Sequence, residues 1–227
     1  MNLVQRVRVA LAKRACRLPL QARLLTQPLP SPGTRLKDLE IIALDFETTG
    51  LDANNDHIIA AGWVLLRGDR IIMASAREIR VRNGAPDGVG QSAVIHGIMD
   101  SDLDAAEDPE SMLEQLLPEL AGRAIVAHAV AIERGFLAAL LRRMGGVPLP
   151  NPFIDTMKLE RTLLEAGGEH AREMHGDLVL ESCRARRELP EHQRHSAGAD
   201  AVACAELLLA QIDQLGGAAQ VKLRDLL

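Results

Sequence analysis

The chain has 227 residues, of which 47% are hydrophobic and 25% charged, which suits one globular domain with a buried core and argues against two. Three Phe, one Trp and no Tyr exclude a nucleic-acid site built on a platform of stacked aromatic rings. The three cysteines have no CxxC spacing, which argues against a zinc site or a disulfide framework.

The net charge of −5 is distributed unevenly along the chain. Residues 1–37 contain eight Lys or Arg and no acidic residue, so the rest of the chain carries a balance of −13. An acidic body argues against tight binding of a long duplex through its phosphates, but it is compatible with an enzyme whose carboxylates hold cations. The basic leader is expected either to contact nucleic acid or an acidic partner, or to be a poorly ordered or core-packed extension.

The location in the cell is inferred from what the sequence lacks. No apolar run reaches the length of a membrane span, and arginines interrupt the apolar residues of the leader, which therefore has no secretory signal core. A cytoplasmic protein with no membrane contact is expected. The Arg-rich, acid-free leader would suit an organellar transit peptide if the source were eukaryotic.

The predicted elements, in chain order, begin with a basic amphipathic helix at 1–26 and a proline-rich linker at 28–33. An N-terminal extension, 1–35, is thereby separated from a folded domain, 36–227. Strands are predicted at 39–46, 57–66, 70–81 and 124–127, with a hairpin turn at 67–69. Helices are predicted at 92–99, 109–120, 132–144, 156–166, 178–187 and 197–215. Strands followed by a mixture of strands and helices predict an α/β domain with a mixed sheet.

The most informative stretch lies at the end of the first predicted strand, where Phe46 separates Asp45 from Glu47. Alternate residues of a strand point to the same face, so the two carboxylates project together while Phe46 enters the core. Adjacent carboxylates repel each other unless a cation lies between them, which makes this pair a candidate metal site. Alone it is a weak signal, and a solvated strand end is the alternative.

Two further acidic stretches have ordinary explanations when each is taken alone. Asp200 follows His195 by five residues at the start of an otherwise apolar helix, where a bound cation explains an acid better than core packing does. His195, in a loop rich in His and Arg, is by itself more typical of a surface histidine. Between the two stretches, His128 ends a short strand and Glu133 begins a helix, where an exposed glutamate is the alternative.

In this order, the stretches resemble the DEDDh family of 3′–5′ exonucleases, the group that contains the epsilon proofreading subunit of bacterial replicative polymerase. The family's first motif, D-x-E-T-T-G-L, is matched by residues 45–51, and its third, H-x-A-x-x-D-A, by residues 195–201. An I-H-G-I element is matched by residues 95–98 and a D-T pair by residues 155–156. The resemblance covers residues 38–215 and implies a ribonuclease H-like α/β fold, a mixed five-stranded sheet flanked by helices.

The second family motif, H-N-A-x-F-D, is altered here. Residues 128–133 keep the spacing from histidine to acid, but Ala129 replaces the Asn and Glu133 replaces the Asp. Glutamate is still a hard oxygen ligand with one more methylene of reach, so metal binding is expected to survive with shifted geometry. Loss of the Asn amide puts the rate of the reaction in question rather than the fold.

The resemblance implies a hydrolase that releases nucleoside monophosphates from single-stranded 3′ ends, with DNA favoured, by a two-metal-ion mechanism. His195 would take the proton of the attacking water. The two ions, Mg²⁺ or Mn²⁺, would be held by the carboxylates of Asp45, Glu47, Glu133 and Asp200. The substrate contacts that the resemblance implies are Thr48, Leu51, His96 and His128.

Two alternatives to this function stay open at the level of sequence. The altered second motif is compatible with a nucleic-acid-binding or scaffold protein of the same fold whose catalysis is weakened. A nuclease that acts on RNA or on very short oligonucleotides is the other, because discrimination at the 2′-OH depends on pocket contacts that the sequence does not define. Association with a polymerase is compatible with the family but has no support in the sequence.

Overall fold

The computed structural model describes residues 3–82, 106–166, 178–192 and 195–227. Within these ranges five strands form one mixed sheet in the order β3-β2-β1-β4-β5. Antiparallel ladders join β1 to β2 and β2 to β3, and parallel ladders join β1 to β4 and β4 to β5. The strands are β1 (Glu40–Thr48), β2 (Ile58–Arg67), β3 (Arg70–Arg80), β4 (Ala124–Ala127) and β5 (Phe153–Asp155). The mixed sheet expected from the sequence is confirmed.

Helices cover both faces of this sheet. They are α1 (Leu3–Ala15), α2 (Pro19–Leu24), α3 (Pro109–Leu120), α4 (Ala131–Arg143), α5 (Thr156–Ala166), α6 (Leu180–Arg186) and α7 (Ala197–Gln214), with 3₁₀ turns at Leu36–Asp38 and Leu223–Leu226. Among the described helices, none combines the length and the apolar character that crossing a bilayer requires.

The central strand β1 supplies a core on each face, because its side chains alternate between the two sides of the sheet. Ile42 and Leu44 pack with Phe46 among buried residues of α3 and α4. Ile41 and Ala43 pack on the other face with buried residues of α7. By the same alternation, Asp45 and Glu47 lie on the face that α7 covers, beyond the last apolar residue of that face.

Two differences from the predicted elements have simple causes. The helix expected over 1–26 is broken before Pro19, which starts α2 because proline fits the first turn of a helix but not its interior. Strand β5 has three residues, too few to produce a periodic pattern. The helix predicted at 92–99 lies outside the described residues.

The basic extension packs against the domain. Val9, Leu25 and Leu29 are buried. Gln21 is 0% exposed, and its amide both donates to the Val147 carbonyl and accepts from the Val147 N–H, at 2.5 and 2.8 Å. Two hydrogen bonds from one buried amide to one backbone unit hold the extension in a defined position on the domain. Of the alternatives for the leader, the core-packed extension matches this geometry.

Candidate active site

Three of the predicted acidic residues meet at one end of the sheet. Asp45 and Glu47 lie at the end of β1 and Asp200 lies in the first turn of α7. One oxygen from each carboxylate can be chosen so that all three lie within 4.8 Å of one another. Oxygen atoms at this separation can share a divalent cation, which binds carboxylates at about 2.0–2.6 Å.

A close approach of α7 to β2 brings Asp200 to the end of β1. Gly62 is paired with Asp45 across the ladder, and a Cβ on Gly62 would lie 2.0 Å from the carbonyl carbon and oxygen of Ala197. Only glycine leaves space for the backbone of the helix at this position.

Glu78, on β3, fixes the same end of α7. Its Oε2 accepts from the Ser196 hydroxyl at 2.5 Å and from the Gly198 N–H at 2.9 Å. Ser196 in turn caps the helix, because its Oγ accepts from the Ala199 N–H. A carboxylate at a helix N-terminus also interacts favourably with the helix dipole. Glu78 therefore ties the helix that carries Asp200 to the edge of the sheet.

Two histidines hold the Asp200 carboxylate. Its Oδ1 lies 2.7 Å from Nε2 of His192, and its Oδ2 accepts from the His195 backbone N–H at 3.0 Å. His195 has a φ of 61°, the left-handed conformation that non-glycine residues seldom adopt. This conformation directs the backbone N–H of His195 to Asp200. His195 also lines the cleft beside the acids.

Glu133 lies in the first turn of α4 and lines the same cleft, but it does not belong to the set of three acids within 4.8 Å. It is 2% exposed, and its Oε2 is buried with no hydrogen-bond partner among the residues that the structure describes. A buried oxygen in this state is costly. A cation or a bound water in the cleft would satisfy it, so the residues present fit a divalent metal.

Asp155 organises the backbone behind Glu133. Its side chain accepts from the N–H groups at the start of two helices: Ala129 and Val130 before α4, Met157 and Lys158 in α5. Ala129 has a φ of 67° and makes the sharp turn from β4 into α4. Asp155 therefore fixes, through hydrogen bonds to the backbone, the turn that leads into the helix carrying Glu133.

The pKa values of the acids are raised by their surroundings. Burial, with the charges of Glu133, Glu47 and Asp200, raises the pKa of Asp45 well above its usual value. Burial, together with Asp200 and Glu78, raises the pKa of Glu47 to about 7. Burial raises the pKa of Glu133 to about 8, with a further contribution from Asp155. Uncompensated negative charge of this kind favours cation binding.

The acids open into a cleft of about 530 Å³. The segment after β1 forms one wall, where the Thr48 hydroxyl donates to the Gly50 carbonyl and Leu51 is 81% exposed. His128 also lines the cleft, but its ring nitrogens lie 2.9 Å from the Thr156 hydroxyl and 2.8 Å from the Leu178 carbonyl. Both nitrogens are engaged within the protein, which favours a structural role for His128. His96 lies outside the described residues.

Glu78 and Gly62 were not identified from the sequence. Glu78 is separated from Asp200 by 122 positions in the chain and belongs to no motif. Gly62 is an isolated glycine in a strand, a recognised sign of close backbone approach, so a signal for it was present.

The comparisons with known proteins agree with the fold. Residues 42–208 match the family model for RNase T exonucleases. The PolC-type DNA polymerase III of Thermotoga maritima is 31% identical over 141 residues, which make up 60% of this chain and 10% of that protein. The corresponding protein of Staphylococcus aureus is 32% identical over 136 residues, 60% of this chain and 9% of that protein. The chain thus spans about a tenth of the length of these curated relatives.

Solved exonuclease structures share the fold. Cell-death related nuclease 4 superposes with a TM-score of 0.66 at 17% identity, covering 82% of this chain and 67% of that one. The nuclease domain of 3′hExo, a DEDDh family member bound to rAMP, gives 0.63 at 16% identity, covering 79% and 94%. E. coli exonuclease I in complex with a dT13 oligonucleotide gives 0.65 at 15% identity, covering 78% and 42%. These likenesses confirm the ribonuclease H-like sheet.

Proposed function

The chain belongs to the RNase T exonuclease family and to its DEDDh type of 3′–5′ exonucleases, and we propose that it removes nucleotides one at a time from the 3′ ends of single-stranded DNA. The observation that carries the proposal is the convergence of Asp45, Glu47 and Asp200 at a cleft of about 530 Å³. That volume falls in the range of sites that enclose one small ligand, which suits the terminal nucleotide of a strand.

The donor set suits two divalent cations, Mg²⁺ or Mn²⁺, because carboxylate oxygens are the hard ligands that these ions prefer. The three clustered acids would hold one ion, and Asp45 would be shared with a second whose other ligand is Glu133. The buried Oε2 of Glu133, for which the described part of the chain offers no hydrogen-bond partner, supports this assignment. When bound, such ions stabilise the charge on the scissile phosphate and lower the pKa of a coordinated water.

The chain's own side chains would then orient the metal ligands and take a proton from the attacking water. Asp200 is oriented by His192 Nε2 and by the His195 N–H, so its oxygens are aimed before any ligand arrives. His195, which lines the cleft, is the proposed acceptor of the proton from the attacking water. Its backbone bond to Asp200 ties this imidazole to a metal ligand.

The segment 48–51 would bind the terminal nucleotide. Its backbone N–H groups are candidates for the terminal sugar and phosphate, and Leu51, an exposed aliphatic side chain at the cleft, would wedge under the last base. An aliphatic wedge suits a chain with only four aromatic residues. The nucleotide and oligonucleotide ligands of the solved relatives support this class of substrate, and the DNA polymerase relatives favour DNA.

A single-strand degradation assay tests the proposal. A 5′-labelled DNA of about 20 nucleotides, incubated with Mg²⁺ or Mn²⁺, is expected to shorten from its 3′ end in one-nucleotide steps. A nuclease-resistant linkage at the 3′ terminus should block the reaction, whereas the same linkage at the 5′ terminus should not. Internal cuts, or loss of the 5′ label as a mononucleotide, would contradict the proposed direction.

The position of Glu133 outside the set of three acids favours one second candidate, a nucleic-acid-binding or scaffold protein with weakened catalysis. Restoring the family's second motif with the double variant Ala129→Asn/Glu133→Asp tests it. A wild-type protein that binds the strand without degrading it, together with a variant that degrades it, would support the scaffold function. RNA of the same sequence and a dinucleotide, run in parallel, test the RNA and short-oligonucleotide alternatives.

A further inference from the structure

Two stretches of this acidic chain contain no acidic residue at all. They are residues 1–37 and 134–154, and together they hold eleven of the 26 basic residues and none of the 31 acidic ones. The second stretch runs from α4, just after Glu133, to the start of β5. Such segregation within a protein of net charge −5 produces a local field of the opposite sign.

The fold joins the two stretches. The Arg17 N–H donates to the Gly145 carbonyl at 2.8 Å, and the paired hydrogen bonds between Gln21 and Val147 lock the contact. The C-terminal end of α1 therefore lies beside the C-terminal end of α4. Four exposed cations stand at these two helix ends and are termed the basic surface: Lys13, Arg14, Arg17 and Arg142.

Helix α4 connects the basic surface to the cleft. Ile132 and Glu133, in its first turn, line the cleft, and Arg142 stands in its last turn. Thirteen residues of helix span roughly 20 Å. Arg143 is a second link between the end of α4 and the cleft. Its guanidinium donates to the carbonyls of Ala53 and Asn54, both at 3.0 Å. These residues follow Leu51, which lines the cleft.

We propose that the basic surface binds the phosphates of the substrate strand on the 5′ side of the nucleotides held in the cleft. This inference rests on the proposed function of the cleft and adds a second site to it. Within the described part of the chain, none of the four cations of the basic surface forms an ion pair. Exposed cations in that state are available to phosphates, and they would compensate for the repulsion between a polyanion and the acidic body.

The experiment compares two charge reversals of equal size within the same acid-free stretch. Arg14→Glu/Arg17→Glu alters the basic surface. Arg35→Glu/Lys37→Glu is the matched control, because these exposed residues flank Leu36, which packs in the core on the opposite face of the sheet. Each variant is assayed on a single-stranded DNA of about 20 nucleotides and on a dinucleotide, which is too short to extend from the cleft to the basic surface. Thermal unfolding of both variants checks that they are folded.

With the longer strand at low salt, Arg14→Glu/Arg17→Glu is expected to lower kcat/KM at least tenfold, while the rate on the dinucleotide stays unchanged. The slope of log KM against log salt should flatten by roughly 1.4, because each phosphate contact on a single strand contributes about 0.7. The control pair should leave both substrates near the wild-type values. Equal losses in the two variants, or no loss on the longer strand, would overturn the proposal; the second result would be expected of a surface that binds an acidic protein.

Binding of the labelled strand by fluorescence anisotropy, with EDTA present, separates this proposal from the proposed function. A wild-type protein that binds the longer strand through Arg14 and Arg17 in EDTA, but does not hydrolyse it when Mg²⁺ or Mn²⁺ is supplied, would contradict the proposed function and support the basic surface. If the wild-type protein hydrolyses the strand and Arg14→Glu/Arg17→Glu binds it with unchanged affinity, the proposed function is supported and the basic surface is contradicted.

Discussion

Gly62 and Ala197 are in backbone contact, and that contact sets the distance between the sheet and the helix that carries Asp200. A Cβ on Gly62 would lie 2.0 Å from the carbonyl carbon and oxygen of Ala197. Gly62 is also the ladder partner of Asp45. One crossing point therefore determines how two acids from distant parts of the chain approach each other.

Gly62→Ala is expected to displace the start of α7 and with it Asp200. Overpacking of this kind costs about 1–3 kcal/mol, and a shift of about 1 Å at a catalytic site lowers the rate by about 100-fold. Urea unfolding and single-strand degradation measure the two effects. Gly33→Ala, where an added Cβ meets no atom of the described residues within 4 Å, is the control. Wild-type stability and rate in Gly62→Ala would contradict the role of this contact.

Asp155→Ala is expected to lower both stability and activity, because it removes the acceptor of backbone N–H groups at the starts of α4 and α5. Loss of a single helix cap costs about 0.5–2 kcal/mol, and two helices are capped here. Thermal unfolding and the degradation rate are the measurements. Asp108→Ala removes the cap of α3 alone, away from the cleft, and should reduce stability less and leave the rate unchanged. Equal effects of the two variants on the rate would contradict this assignment.

The stability of the metal-free protein is expected to depend on pH through Glu47. Its pKa is raised to about 7 in the folded protein, so the folded state binds more protons than the unfolded state between about pH 4.5 and 7. Its contribution to the free energy of unfolding is therefore present at low pH and is lost as the pH rises through 7. Glu47→Gln should not show this pH dependence, because the glutamine amide does not titrate.

Urea unfolding in EDTA at pH 5 and pH 8 measures this effect. From pH 5 to pH 8, Glu47→Gln should gain stability relative to the wild type by on the order of 1–3 kcal/mol. Saturating Mg²⁺ should stabilise the wild type at pH 8 more than it stabilises the variant, since metal binding requires the deprotonated carboxylate. A difference between the two proteins that stays constant with pH would contradict the raised pKa.

His195 and His192 are expected to have separable effects. His195→Ala should slow hydrolysis by roughly 10²–10⁴-fold at saturating metal, because it removes the proton acceptor. His192→Ala releases Asp200 Oδ1 and should instead raise the Mn²⁺ concentration needed for half-maximal rate, as expected for a residue that orients a metal ligand. Rates measured across a Mn²⁺ titration distinguish the two. The opposite assignment would follow if the two variants exchanged these behaviours.

The sequence predicted the parts of this molecule that depend on local pattern. Period-two alternation placed Asp45 and Glu47 on one face, and the bounds of α3, β4 and α5 were predicted to the residue. Pro19 is a local signal of the same kind, because proline does not fit the interior of the helix that the pattern predicted over 1–26. These features require only neighbouring residues, so a single sequence contains them.

Features that depend on tertiary contact could not be predicted in the same way. The left-handed conformation of Ala129 is unusual for alanine, and it accompanies a hydrogen bond from the Ala129 N–H to Asp155, 26 positions away. Glu78 carries no motif, and its function emerges only when β3 meets the start of α7. The packing of the basic extension likewise depends on Gln21 meeting Val147 across 126 positions.

The binding of Mn²⁺ by the wild-type protein and by Asp45→Asn tests most directly whether the acidic cluster is a metal site. Wild-type protein should bind Mn²⁺ saturably in a calorimetric titration. Asp45→Asn should lose that binding and the nuclease activity, while it keeps or slightly raises the unfolding temperature in EDTA, because the substitution relieves carboxylate repulsion. Unchanged Mn²⁺ binding and full activity in Asp45→Asn would contradict the account.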